Sequence, residues 1–252
     1  MTLQNKNVLI TGGGTGLGAV MARDFAALGA HVIVAGRTGA NLQKVADTDE
    51  LITPFKVDVA DEAAVVDMMA QIAAPDIVIA NAGVSVSMPF LKTDLATWQN
   101  MIDVNLTGVF LSFREALKKM QDKKWARLIA IASTAGLKGY PYVSSYGAAK
   151  HGVVGMVKSL ALELAPANVM GDVTVNALCP GFLDTEMTDR SIANIKEKTG
   201  MSEVEALAVL EKTNPQQRLI KPEEVSAAAI WLCGEHTQAI TGQAIPVAGG
   251  EL

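Results

Sequence analysis

Residues 11–18 read TGGGTGLG, directly after the apolar run NVLI at 7–10 and directly before residues with helical spacing. A glycine-rich turn between a strand and a helix lets backbone N–H groups and the positive end of the helix approach a pyrophosphate. The glycines fit two spacings, either Gly14, Gly16 and Ala19 or Gly12, Gly16 and Gly18. Spacing alone does not choose between them, but either one predicts the first strand, turn and helix of a dinucleotide-binding fold.

Short apolar runs alternate with longer helical patterns along the rest of the chain. Most of the runs lack polar alternation, as is typical of strands buried on both faces of a parallel sheet. We expect strands at residues 7–11, 31–35, 54–57, 77–80, 126–132, 173–178 and 244–247. We expect helices at residues 17–28, 62–72, 98–120, 146–164 and 222–232. The prediction is therefore an α/β fold with one domain over residues 1–252, a Rossmann-like doubly wound parallel sheet of about seven strands flanked by helices.

Composition excludes several classes of function. The chain has 252 residues, 50% of them hydrophobic, and a net charge of -5, so it offers no basic field for nucleic acid or an anionic membrane. No apolar run reaches the roughly 18 residues of a membrane span, and the N-terminus lacks a targeting pattern, so we expect a soluble, cytoplasmic protein. Cys179 and Cys233 lie in apolar stretches and are predicted to be core residues. The three histidines have no metal-ligand spacing, so we predict no metal site.

Tyr146 and Lys150 stand four residues apart in SSYGAAK, and Ser133 lies thirteen residues before the tyrosine. On a helix an i, i+4 pair shares one face, so the Lys150 ammonium would favour the ionised form of Tyr146. A phenol with an ordinary pKa of about 10 would then exchange protons near neutrality. Such a pair is also typical of simple packing, but together with the glycine turn it predicts a carbonyl reductase or alcohol dehydrogenase.

The second predicted strand leads into Arg37 and Thr38, about twenty residues after the glycine turn. An acidic residue there would bind the ribose 2′-hydroxyl of NAD, but no carboxylate is present. Arg37 instead favours a forked contact with a 2′-phosphate, and Thr38 adds a donor. NADP(H) is therefore the favoured cofactor, while NAD(H) stays open because the glycine turn itself contains no basic residue.

These motifs, in this order, resemble the short-chain dehydrogenase/reductase family over nearly the whole chain. The family's long-gap glycine pattern falls on Gly12, Gly16 and Gly18, which selects the second of the two spacings. Other matching positions are Asp58 within VDV, Asn81-Ala82-Gly83, Asn105, Ser133, Tyr146, Lys150, Pro180-Gly181 and Thr185. Ala80 and Ala248 depart from the residues that are common at their positions, and neither departure touches the chemistry.

The resemblance implies a role for each matching residue. Tyr146 would exchange a proton with the substrate oxygen, and Ser133 would donate a hydrogen bond to that atom. Lys150 would hold the nicotinamide ribose, Asn105 would anchor a water for proton resupply, and these four form the implied catalytic set. The implied cofactor-binding set is Gly12, Thr15, Gly16, Leu17, Gly18, Arg37, Thr38, Asp58, Val59, Asn81, Ala82, Gly83, Tyr146, Lys150, Pro180, Gly181 and Thr185.

The substrate is the least specified element. By resemblance, a lid over about 184–217, with a helix-prone stretch at 191–210, would cover a small-molecule carbonyl or alcohol, and segments 84–88 and 137–143 would line the other wall. Apolar lid residues, with Tyr140 and Tyr142 on the other wall, favour a small to medium apolar ketone. The length of the lid and its Asn214-Pro215 exit resemble those of reductases that act on 3-oxoacyl substrates, but sugar, steroid and xenobiotic carbonyls share this frame. Its basic residues would either meet an anionic group of the substrate or form a solvated helix face, and they are Arg190, Lys196 and Lys198.

Two further expectations concern function class and assembly. Some relatives bind the dinucleotide as non-catalytic regulatory or structural proteins, and this remains the alternative, although Ser133, Tyr146 and Lys150 are all intact. Related enzymes assemble through their two long helices, here about 98–120 and 146–164, so we expect a homotetramer or homodimer. The apolar stripe within 98–120 fits either core packing or such an interface.

Overall fold

A single parallel sheet forms the centre of the protein. The structure, a computed structural model, describes residues 2–166 and 170–252; Met1, which belongs to the predicted domain, lies outside the described residues. Within these ranges the strands are β1 (Asn7–Thr11), β2 (His31–Gly36), β3 (Ile52–Lys56), β4 (Ile77–Ala80), β5 (Trp125–Ile131), β6 (Asp172–Pro180) and β7 (Ala244–Val247). They pair in parallel in the order β3-β2-β1-β4-β5-β6-β7, which confirms the predicted doubly wound fold.

Helices cover both faces of this sheet. They are α1 (Gly16–Ala27), α2 (Gly39–Ala46), α3 (Glu62–Gln71), α4 (Leu95–Ile102), α5 (Gly108–Lys119), α6 (Ser144–Leu164), α7 (Glu186–Thr199), α8 (Glu203–Glu211) and α9 (Pro222–Leu232). A π-helical turn (Asp103–Thr107) joins α4 to α5, so the predicted helix at 98–120 is interrupted. In the described part of the chain, no helix is both long and apolar enough to cross a membrane.

Two helical segments differ from the predictions for local reasons. The eight-residue helix α2 was not predicted because it buries only Leu42 and Val45, too few positions to give a clear period. The helix-prone stretch at 191–210 forms two helices instead of one. Gly200 ends α7 in the left-handed conformation with φ +75°, and Ser202 begins α8 with a capping box.

Each face of the sheet buries its own hydrophobic cluster. Leu9 packs in one cluster, while its neighbours Val8 and Ile10 pack in the other. Because both faces are covered, the strands need apolar residues at every position, which explains the lack of alternation. The stripe on the predicted helix at 98–120 is divided in the same way: Phe113 is buried in the core, whereas Phe110 is 44% exposed.

The strand order fixes where a site can form. The chain builds β1, β2 and β3 outward in one direction and then returns to place β4 on the other side of β1. The connections that follow β1 and β4 therefore diverge, which opens a crevice at the carboxyl ends of these two strands. The glycine turn follows β1, and the segment beginning at Asn81 follows β4.

Candidate active site

Backbone contacts hold the glycine turn in one shape. Gly12 has φ +66°, in the left-handed region that favours glycine. A Cβ on Gly18 would overlap the Gly12 carbonyl oxygen, so α1 can start this close to β1 only with glycine at this position. The turn thus leaves a side-chain-free cradle at the N-terminus of a helix, which is suited to an anion.

Asn81 joins the ends of β1 and β4. Its Nδ2 donates to the carbonyl oxygens of Thr11 and Gly12, at 3.0 and 3.1 Å. In return the Thr11 hydroxyl oxygen accepts from the backbone N–H groups of Asn81 and Ala82, both at 3.1 Å. Thr11 was not among the predicted site residues; its signal in the sequence is a polar residue at the end of a strand rich in apolar residues.

A groove of about 110 Å³ opens beside this junction. It is lined by Gly12, Gly36, Arg37, Val57, Asp58, Val59, Ala82, Gly83, Val84 and Val104. Asp58 is held by the N–H of Ala60, which donates to its Oδ1 at 3.0 Å. Arg37 and Thr38 follow β2 and are exposed at the outer end of the groove. The glycine cradle, an acidic group and an outer arginine fit the adenosine half of a dinucleotide.

The remaining cofactor candidates surround the start of α1. Thr15 is the residue before the helix, and its side chain makes no capping hydrogen bond there. Leu17 is buried beneath the turn. Thr185 lies opposite, with its Cγ2 3.4 Å from the place where a Cβ on Gly16 would sit. The structure therefore brings Thr185, 169 positions away from Gly16 in the sequence, to the mouth of the glycine turn.

Ser133 and Tyr146 meet beyond the end of β5. Burial raises the pKa of Tyr146, and a hydrogen bond with the Ser133 hydroxyl offsets part of that rise. The Lys150 Nζ lies 5.7 Å from the centre of the tyrosine ring and donates to the carbonyl oxygen of Ile131 at 2.8 Å. The spacing predicted that Lys150 would lower the pKa of Tyr146, but the pKa is raised, because loss of hydration is the largest influence on the phenol.

The position of Lys150 is unfavourable for the charged form of its side chain. Its side chain is buried, and burial lowers the pKa of its ammonium to about 8. An amine with that pKa gains and loses protons close to neutral pH. Lys150 is therefore able to exchange protons in the pH range where the tyrosine stays protonated.

Asn105 is fully buried and sits in the π-helical turn. Its Nδ2 donates to the carbonyl oxygens of Val84 and Met101, at 2.9 and 3.0 Å, and its Oδ1 accepts from the N–H of Val84 at 3.1 Å. A Cβ on Gly83 would lie 2.9 Å from Asn105 Oδ1 and 3.8 Å from Lys150 Nζ. Asn105 and Lys150 therefore approach the same backbone point, and its burial excludes a surface position for Asn105.

Cys179 lies near Ser133 and Lys150, a position that the sequence did not predict. The prediction of a buried cysteine is confirmed, since both Cys179 and Cys233 are free and buried. Burial raises the pKa of the Cys179 thiol to about 11, while the backbone of Ser133 and the charge of Lys150 act in the opposite direction. The thiol is therefore protonated at neutral pH.

The substrate-side wall is formed by two connected segments. The N–H of Met88 donates to the carbonyl oxygen of Tyr142 at 2.7 Å, which ties segment 84–88 to segment 137–143. Tyr142 has φ +66° and a side chain that is 62% exposed, whereas Tyr140 turns inward. Only one of the two tyrosines predicted for this wall is therefore placed to line it.

The segment 184–217 carries α7 and α8 and has a small core of its own. Ile192, Ala206 and Leu210 form this core, separate from the two clusters of the sheet. A bridge between Leu183 and Ile220 pins the base of the segment. The basic residues pair with glutamates on the exposed face, as Arg190 with Glu186, Lys196 with Glu203 and Lys198 with Glu197. Of the two alternatives for these basic residues, a solvated helix face is therefore favoured over a contact with the substrate.

Comparisons with known proteins agree with this geometry. The model of a family described as short chain dehydrogenase matches residues 6–196. D-beta-hydroxybutyrate dehydrogenase of Rhizobium meliloti (strain 1021) is 34% identical over 257 residues, covering 97% of this chain and 98% of the relative. The 3-oxoacyl-[acyl-carrier-protein] reductase FabG of Aquifex aeolicus (strain VF5) is 34% identical over 259 residues, with 98% of each chain covered.

A solved structure is similar over the full length. A variant of actinorhodin polyketide ketoreductase, crystallised with NADPH, superposes with a TM-score of 0.92 at 31% identity. The match covers 100% of this chain and 99% of that one. The similarity thus includes segment 184–217 and the C-terminal residues, not only the part that the family model matches.

Proposed function

This chain belongs to the short-chain dehydrogenase family of NAD(P)-dependent oxidoreductases acting on CH–OH and ketone groups, and we propose that it reduces a ketone with NADPH. The observation that carries the proposal is the meeting of the Ser133 and Tyr146 hydroxyls beside Lys150, next to a glycine turn open for a dinucleotide. We propose Ser133, Tyr146, Lys150 and Asn105 as the catalytic residues.

The mechanism assigns each step to a group of this chain. The cofactor, when bound, supplies the hydride that the ketone carbon receives. Ser133 Oγ donates a hydrogen bond to the carbonyl oxygen and so orients it. Tyr146 then gives its hydroxyl proton to that oxygen, which becomes the alcohol. Because burial raises the pKa of Tyr146, the phenol keeps its proton at neutral pH and is able to donate it to the substrate oxygen.

Proton resupply falls to Lys150 and Asn105. The pKa of about 8 lets Lys150 pass a proton toward Tyr146 and take another near neutral pH. Asn105, held by three hydrogen bonds, keeps the neighbouring backbone of Val84 in place and lines the route from the lysine. This assignment gives the π-helical turn a role, because the turn is what points Asn105 at the site.

The cofactor set follows the groove and the glycine turn. The backbone of the turn would hold the pyrophosphate, Asp58 the adenine, and Thr185 the nicotinamide carboxamide. Arg37 and Thr38 would meet the 2′-phosphate, which favours NADPH over NADH. The exposed position of Arg37 suits this contact, since a phosphate at the rim stays partly in water.

The substrate class we favour is a 3-oxoacyl compound or a small to medium apolar ketone. Similar proteins are named for hydroxybutyrate, 3-oxoacyl-[acyl-carrier-protein] and polyketide substrates, and these names support a substrate of this kind. The small apolar core of segment 184–217 is consistent with a lid over such a substrate. Sugar, steroid and xenobiotic carbonyls are the alternative substrate classes, and the experiment below distinguishes them.

The test is the rate of NADPH oxidation with 3-oxoacyl thioesters, diketones, cyclic ketones and keto sugars. We expect turnover with the first class, and Tyr146→Phe should lower kcat by about 1,000-fold because no other group can donate the proton. The Kd for NADPH should change by less than about 3-fold. A Phe variant that keeps its turnover, or that loses NADPH binding, would refute the assigned role. A wild-type protein that binds NADPH but reduces nothing would favour the non-catalytic alternative.

We also propose a homotetramer or homodimer in the cytoplasm. Phe110 on α5 and Leu162 on α6 are 44% and 77% exposed, which supports contact between copies through these helices. The buried free thiols suit a reducing compartment. A monomer at micromolar concentration in sedimentation velocity would contradict the assembly.

A further inference from the structure

The C-terminal residues reach back to the substrate side of the site. Gly249 and Gly250 have left-handed φ angles of +62° and +92°. A Cβ on Gly249 would overlap the side chain of Asn214, which is buried at the end of the segment 184–217. The end of the lid segment therefore packs closely against this double-glycine turn, and the turn directs Glu251 inward.

The Glu251 carboxylate binds polar side chains of segment 137–143. Its side chain is 2% exposed, and its Oε1 accepts from Lys138 Nζ at 3.0 Å and from the Tyr140 hydroxyl. The same hydroxyl shares a 2.7 Å hydrogen bond with the Thr134 hydroxyl, directly after Ser133. One carboxylate oxygen thus fixes two residues of segment 137–143 and is connected through them to the proposed catalytic serine.

Stability of the fold does not account for this arrangement. The second oxygen, Oε2, is buried and has no hydrogen-bond partner among the described residues. It faces the chain beside Gly181, where a Cβ would lie 3.3 Å away. A buried acceptor without a partner lowers stability, and an apolar side chain of similar size would avoid that cost. Such compromises are typical of positions kept for function.

Tyr140 connects the carboxylate to the lid. Its ring packs edge-on against Phe182, with 6.4 Å between the ring centres and 81° between the planes. Phe182 belongs to the side-chain cluster under α7 and α8. A shift of the Tyr140 ring would therefore change both the wall and the base of the lid, the two surfaces between which a ketone would bind.

We propose that Glu251 is a positioning residue for the substrate: it holds Tyr140 in the wall and so sets how tightly the site binds its ketone. The proposal rests on the ketone reductase function and deepens it. Glu251 acts through Tyr140: its second oxygen lies beside Gly181, but the groove assigned to the adenosine half of the cofactor lies on the other side of β4. Its removal should therefore alter substrate binding and leave NADPH binding intact.

A double-mutant cycle tests this link. Glu251→Ala and Tyr140→Phe should each raise the KM for the ketone by about 10-fold, the usual effect of losing a hydrogen bond to a charged group. The kcat and the Kd for NADPH should stay within about 3-fold of wild type. In the double variant KM should be no more than about 2-fold above the larger single effect, since both changes break the same bond. Glu50→Ala, on an exposed turn, is the matched control and should change nothing.

Several outcomes would overturn the proposal. Additive effects of the two changes, or a KM that neither change alters in an enzyme that reduces ketones, would each do so. If Glu251→Ala does not fold, Glu251→Gln replaces it: the amide oxygen still accepts from Tyr140, so KM should return to within about 3-fold of wild type. A Gln variant with the full defect of Tyr140→Phe would contradict a positioning role. Absence of any turnover in the wild type would instead refute the proposed function.

Discussion

The cofactor side and the substrate side of the site are built in different ways. The cofactor side consists of strand ends and the glycine turn, held by contacts between backbone atoms and by Asn81. The substrate side gathers three segments that are distant in the sequence, 137–143, 182–217 and 249–251, through side-chain contacts. Changes on the first side should therefore affect the whole fold, whereas changes on the second should stay local.

The largest effect should come from the cofactor side. Gly18→Ala places a Cβ against backbone atoms of Gly12 that cannot move without shifting β1. We expect a loss of about 3 kcal/mol in the free energy of unfolding and at least about 100-fold weaker NADPH binding. Denaturant unfolding and NADPH fluorescence measure the two effects. Gly39→Ala is the control, because a Cβ there meets nothing within 4 Å; equal behaviour of the two variants would mean that the turn is more adaptable than it looks.

Lys150, also on the cofactor side, tests whether a buried residue proposed for catalysis lowers the free energy of unfolding. Lys150→Met removes a buried ammonium, and we expect it to abolish turnover and to raise the free energy of unfolding at pH 7 by about 2 kcal/mol. The lysine pKa falls from 10.5 to about 8 on folding. Between those values the unfolded chain binds more protons here, so the wild type gains stability as pH rises.

The advantage of the Met variant should accordingly shrink from about pH 8 upward and vanish near pH 10.5. Unfolding curves of both proteins at several pH values provide the measurement. A difference that does not depend on pH, or a Met variant less stable than wild type at pH 7, would show that Lys150 supports the fold.

A smaller and local effect is expected on the substrate side. Leu210→Ala opens the small core under α7 and α8, and we expect a loss of about 2 kcal/mol confined to that segment. Hydrogen exchange should quicken across 186–211, while the main sheet and the Kd for NADPH stay unchanged. Val204→Ala, on the same helix but 77% exposed, should have no effect. If Leu210→Ala lowered the stability of the whole protein, the expected difference between the cofactor side and the substrate side would be wrong.

The smallest effect concerns the rim of the cofactor groove. Arg37→Ala removes the proposed partner of the 2′-phosphate, so KM for NADPH should rise about 10-fold while KM for NADH changes by less than about 2-fold. Steady-state kinetics with both cofactors measure this, with the exposed Arg23→Ala as the control. Equal changes for the two cofactors would mean that Arg37 does not read the phosphate.

The sequence predicts the cofactor side well because that side uses local patterns. The strands 7–11, 77–80 and 244–247 match the structure residue for residue, and the glycine spacing lies within eight positions. Asn105 and the role of Ser133 were found by resemblance, but the surroundings of these residues were not. The π-helical turn, for example, has no signature in a run of helical spacing, because the extra residue shifts the period only once.

The substrate side escapes prediction because distant residues create it. Glu251 and Tyr140 are 111 positions apart, and nothing local marks either as a partner of the other. The direction of the Tyr146 pKa was mispredicted for a related reason: spacing reveals the lysine four residues away, but not the burial that raises the pKa of the phenol. Burial is a property of the assembled chain, whereas spacing is a property of the segment.

The π-helical turn between α4 and α5 sets which face of α5 meets the core. A π turn behaves as a one-residue insertion that the helix absorbs locally. If the same residues were wound as a regular α-helix, everything after Thr107 would rotate by about 100°. Val109 and Phe113 would then turn away from the core. Deleting one residue within Asp103–Thr107 would instead give a regular helix with α5 still in phase, so this stretch can lose a residue and keep its packing, whereas it cannot lose the π turn alone.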